Sequence, residues 1–80
     1  MSEFDYAAPA ALFAAHGRAG LRYRRFEKSA EAIRYAVEKL SAAALLTATL
    51  EVADRSYRAA EIRALYDSKR YPLARRSQVG

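Results

Sequence analysis

The sequence predicts an α+β fold: a small domain of order β-α-β-β-α, with a three-stranded mixed sheet and two helices on one of its faces. Three patterns carry this expectation. "LRYRRF", residues 21–26, alternates apolar and basic side chains with the period of a strand. "AEAIRYAVEKL" behind Ser29 repeats its apolar residues at the period of a helix. "LTATLEVADRS" is rich in β-branched residues and ends in a turn-like stretch ahead of a second helical pattern, "AAEIRALYDS".

The N-terminal residues 1–18 read as a segment that is short-helical or flexible. Pro9 suits a first helical turn and Gly17 a helix stop, which allows two turns from Pro9 to His16 that dock through Leu12 and Phe13 or stay mobile. The single α+β domain spans 19–74. In its first strand Leu21, Tyr23 and Arg25 share one face and Arg22, Arg24 and Phe26 the other. A helix over 29–41 follows, with Ser29 in position to accept from its free amides and Glu31 well placed in its first turn. Ala30, Ile33, Val37 and Leu40 form the buried stripe, with Ala36 beside them, and Tyr35 lies at the stripe's edge or outside it.

Residues 42–53 satisfy two patterns. As a strand, Leu46, Ala48, Leu50 and Val52 line one face; as a helix, Ala42, Leu45, Leu46, Thr49, Leu50 and Ala53 make an equally good stripe. Thr47, Thr49 and Val52 favour the strand, because β-branched side chains lose freedom in a helix. Asp54, Arg55 and Ser56 then turn the chain into a short strand around Tyr57, and a helix over 59–67 buries Ile62, Leu65 and Tyr66. Tyr71-Pro72 cannot continue that helix; Tyr71 and Leu73 return to the core, and residues 75–80 form a disordered basic tail.

Size bounds what such a chain can be. Its 80 residues form one domain at most, and a chain this short buries only about 60–65% of the surface its unfolded form exposes. Hydrophobic residues make up 52% of it, too many for a disordered segment. There is no cysteine, so neither a disulfide nor a thiolate metal site supplies stability, which suits a reducing cytoplasm. No stretch approaches the length of a membrane span, and Glu3 and Asp5 stand where a secretory leader would be cationic. A cytoplasmic protein is expected.

The net charge of +5 is uneven: residues 18–28 carry +4 and residues 68–80 carry +4, while 1–17 carry −2 and 29–67 carry −1. Such patches mark either solvated surface or a polyanion contact. Chemistry finds little to stand on. His16 is the only histidine, and a helix-end position next to terminal carbonyls accounts for it. Ser29, Ser41, Ser56 and Ser68 read as caps, turns and helix ends, and Glu51 with Asp54 as solvated turn residues. "GRAG", 17–20, has the glycine spacing of a nucleotide-clamping loop, but that loop joins two helices and this one feeds a strand. No catalytic residue, cofactor or metal is assigned, and the chain is expected not to be an enzyme.

Two binding readings follow. With residues 42–53 helical, residues 21–53 resemble a ribbon-helix-helix DNA-binding protein, in which paired strands of a dimer present outward residues such as Arg22 and Arg24 to the major groove. With them extended, the first two strands lie parallel across a right-handed crossover. Both helices then cover the face of Leu21 and Tyr23, and Arg22, Arg24 and Phe26 share the open face with Thr47, Thr49 and Glu51. "YRRFEKSAEAIRYAVEKL", "LEVADRSYRAAEIRALYDS" and "YPLARR" resemble a group of small, uncharacterised bacterial proteins of alphaproteobacterial type, from about Leu21 to Arg76. That resemblance implies the β-α-β-β-α order and brings no activity or site residue. The expected function is a small non-enzymatic interaction module that binds a protein partner, or itself as a homodimer, through the open sheet face or an edge strand. Nucleic-acid binding is the alternative, with Arg22, Arg24 and Phe26 as the binding face and Lys69, Arg70, Arg75 and Arg76 as a basic tail.

Overall fold

The computed structural model describes residues 4–15 and 20–73, with Leu21 described in its backbone alone. Strands β1 (Ala10–Ala15) and β2 (Leu21–Phe26) are followed by helices α1 (Ser29–Glu38) and α2 (Ala42–Thr47). Strands β3 (Thr49–Val52) and β4 (Arg55–Arg58) and helix α3 (Ala59–Asp67) complete the order. The sheet is four-stranded, in the order β2-β1-β3-β4, and every neighbouring pair is antiparallel. The fold is thus α+β, with one strand and one helix more among the described residues than the sequence predicts.

The extra strand is β1, in the segment expected to be a short or mobile helix. Its burial alternates: Ala10, Leu12 and Ala14 are buried, and Ala11, Phe13 and Ala15 are half-exposed. Alanine is the strongest helix former, yet a two-turn helix leaves most of its backbone groups to water, whereas a strand between two neighbours pairs both edges. The parallel crossover changes with it. β2 and β3 do run in the same direction, but β1 lies between them and pairs with both.

The ambiguous segment divides. Ser41 Oγ accepts the Ala44 N–H at 3.1 Å and starts α2 on an alanine run. Ala48 is already extended (φ −70°, ψ 145°), and the β-branched residues beyond it enter β3. Leu46, expected in the core, is instead 77% exposed. Thr47 joins the two structures: its hydroxyl accepts the Ala15 N–H at 2.9 Å, beyond the last residue of β1 that β3 pairs, and donates to the Ala44 carbonyl at 2.7 Å. The β3–β4 hairpin turns at Ala53 and Asp54, one residue earlier than expected, with Ala53 at φ 55°.

α1 and α3 lie on one face of the sheet. Ala30, Ile33 and Ala36 from α1 and Ile62 and Tyr66 from α3 meet Leu12, Leu50 and Val52. Six of the thirteen buried apolar residues among those described are alanines, so the helices approach the sheet closely and the aromatic rings seal the rim. α1 ends at Glu38, and Ser29 does not cap it. The Ser29 hydroxyl is buried and donates to the Asp5 carbonyl at 2.8 Å. The first amides of α1 are served by backbone instead: Ser29 and Ala30 donate to the carbonyls of Ala8 (2.6 Å) and Tyr6 (2.9 Å). Tyr6 in turn donates its hydroxyl to the Leu65 carbonyl at 2.9 Å. α3 spans the residues predicted, with Glu61 accepting the Arg58 N–H at 2.9 Å as half of a capping box. Tyr71 and Leu73 do return to the core, Tyr71 donating to the Ala30 carbonyl at 2.8 Å from a buried position. The predicted disordered tail, 75–80, lies outside the described residues.

Two outcomes test this arrangement. Leu12→Ala should cost about 2–4 kcal/mol and Phe13→Ala less than about 1.5 kcal/mol in urea unfolding, because only the first opens a cavity in the core; equal costs would contradict the alternation. Thr47→Val should cost about 0.5–1.5 kcal/mol by the same measurement, since it leaves the Ala15 amide without its acceptor.

Candidate functional site

The arginines of "LRYRRF" are divided by the register of β2 on β1. Phe26, Arg24 and Arg22 stand opposite Ala10, Leu12 and Ala14, which point into the core. The expected binding face of Arg22, Arg24 and Phe26 therefore lies on the helix side of the sheet and not on its open side. Pairing with a strand whose inward residues were not recognised inverts the assignment. Because β2 is an edge strand, its inner side chains reach past the helix layer, and Arg22 and Arg24 stay exposed. The Arg24 guanidinium lies 4.8 Å from the centroid of the Tyr35 ring and 5.6 Å from that of Phe26. The two rings are themselves 5.6 Å apart. Tyr35 thus reaches over the edge of the α1 stripe to hold β2, and Arg24 is oriented by two aromatic faces.

The open side carries a different set. Tyr23 and Arg25 from β2 lie beside Phe13 and Ala11 from β1, Thr49 and Glu51 from β3, and Arg58 and Ser56 from β4. Reading straight across gives the row Tyr23, Phe13, Thr49, Arg58, which at about 4.8 Å per strand is about 14 Å wide. The second row is Arg25, Ala11, Glu51, Ser56. No helix among the described residues covers these rows: Tyr23, predicted to be buried, is 54% exposed, and its ring lies 5.0 Å from that of Phe13. Arg25, Glu51, Ser56 and Arg58 are exposed as well, and Glu51 is the one acid in these two rows.

Lys69 and Arg70 follow α3 in an exposed turn, where the Arg70 N–H donates to Ser68 Oγ at 3.1 Å. Arg75, Arg76, His16 and most of "GRAG" lie outside the described residues; Gly20, the last of that motif, takes a positive φ of 86° just before β2. Among the described residues no three of His, Cys, Asp and Glu come together as a metal site, and no helix is long and apolar enough to cross a membrane. Phe13, Tyr23, Arg25 and Arg58 were not singled out from the sequence. The uniformly apolar "AALFAA" carries no signal of which of its residues face out, and that register fixes the outward side of every neighbouring strand.

Comparison of the chain with protein-family models, with curated proteins and with solved structures gives no match.

Proposed function

We propose that this chain is a small, non-enzymatic interaction module whose open sheet face binds a single strand of nucleic acid. The observation that carries the reading is the exposed Tyr23 ring beside Phe13 on an uncovered sheet face, with Arg25 and Arg58 at its flanks. Flat aromatic rings accept any base by stacking, and arginines meet the phosphates on either side. The +5 charge adds a favourable long-range field. The lack of cysteine agrees with a cytoplasmic setting.

Self-association through the edge strands fits less well. Both edges carry arginine, Arg22, Arg24 and Arg25 on β2 and Arg55 and Arg58 on β4. A second copy paired there would bring like charges together, the usual way such edges are kept apart. A protein partner on the open face would have to be acidic.

Anisotropy of a labelled oligothymidylate of about 12 nucleotides tests the proposal. Binding should weaken with salt with a log–log slope of about −0.7 for each phosphate contacted. Tyr23→Ala should lose about 1–3 kcal/mol of affinity, and Glu51→Gln should gain affinity by removing the acid from the face. No binding at low salt, or equal affinity for wild type and Tyr23→Ala, would overturn it.

A further inference from the structure

On the opposite, helix side of the sheet, a cleft of about 290 Å³ opens between β2, the C-terminal end of α1 and the start of α2. Its floor is apolar: Leu12 and Ala14 of β1 lie there, and Leu40 and Ala44 close it at the α1–α2 junction. Its mouth is cationic, with Arg22 and Arg24 from β2 on one side and Lys39 from the end of α1 on the other. No Asp or Glu is among its lining residues, as far as the described residues go. Glu38, the acid next in sequence to Lys39, accepts the Tyr66 hydroxyl on α3. Arg24 is held in place by the Tyr35 ring, so one cation is positioned before any ligand arrives.

We propose that this cleft is a binding site for a small organic anion, with its carboxylate or phosphate between Arg24 and Lys39 and a compact apolar body against Leu40 and Ala44, above Leu12 and Ala14. The dimensions set the class. A cavity of about 150 Å³ accommodates benzene, so this cleft has room for a ring of that size and one anionic group. It lies at the lower limit of ordinary small-molecule pockets, about 300 Å³, and is too small to take a folded partner. Apolar walls under a cationic rim favour neither an inorganic ion, which leaves Leu40 and Ala44 wet, nor a neutral ring, which brings Arg24 and Lys39 no counter-charge. The site is independent of the open face, from which it is separated by the sheet itself.

Amide chemical shifts of the ¹⁵N-labelled full chain, titrated with phenyl phosphate, benzoate, inorganic phosphate and phenol, decide the matter. Phenyl phosphate or benzoate should shift Leu12, Ala14, Lys39 and Leu40 saturably, with a dissociation constant on the order of millimolar, and whichever binds more tightly identifies the anionic group. Inorganic phosphate should bind about tenfold more weakly, and phenol should not saturate these amides. Lys39→Gln and Arg24→Gln should each weaken binding about three- to fivefold while the rest of the spectrum keeps its dispersion. Lys39→Gln keeps the test informative if loss of the Arg24 stack disturbs β2. The proposal is overturned by shifts confined to Phe13 and Tyr23, by phenol saturating as phenyl phosphate does, or by Lys39→Gln leaving the affinity unchanged.

Discussion

Strand β1 is paired along both edges, and the placement of every other element follows from that constraint. Its three inward residues, Ala10, Leu12 and Ala14, fix the register of β2 on one side and of β3 on the other. Two of the three are alanines, which leaves room for α1 to lie close over the centre of the sheet. Leu12 stands opposite Arg24 on one edge and Leu50 on the other, so one position sets both the polar rim and the apolar middle. A slip of one residue in β1 would exchange the two faces of the whole sheet.

Most of the elements were legible in the sequence. The alternation of "LRYRRF", the stripe of α1, the β3–β4 hairpin and the span of α3 all have patterns strong enough to stand alone, and each is found close to where it was predicted. β1 and α2 were not legible, for one physical reason. Both are alanine-rich, and alanine combines high helix propensity with a side chain too small to reveal which face is buried. In β1, pairing on two edges overrides that propensity; in α2, the Ser41 cap lets propensity prevail for one short helix. Ser29 shows the same limit. It has the character of a cap, but a neighbouring backbone carbonyl at Asp5 claims its hydroxyl, and nothing local signals that long-range bond.

The inversion of β2 follows from missing β1. Without a partner on that side, the alternation alone assigns Leu21, Tyr23 and Arg25 to the inward face and Arg22, Arg24 and Phe26 to the outward one. The actual register gives the core side of an edge strand to Arg22 and Arg24, which the strand's position at the rim makes affordable: their stems lie along the cleft and the Tyr35 ring while their charges stay in water. The three arginines of one short strand thereby serve two surfaces, Arg22 and Arg24 at the cleft and Arg25 beside Tyr23, and together they discourage edge-to-edge pairing.

The register of β2 on β1 is tested most directly by nuclear Overhauser contacts in the full chain. The account predicts ring–ring contacts between Phe13 and Tyr23 on the open side and between Phe26 and Tyr35 on the helix side, with backbone contacts from Leu12 to both Arg24 and Leu50. Contacts of the Tyr23 ring with Ile33, or helical contacts along residues 10–15, would contradict it.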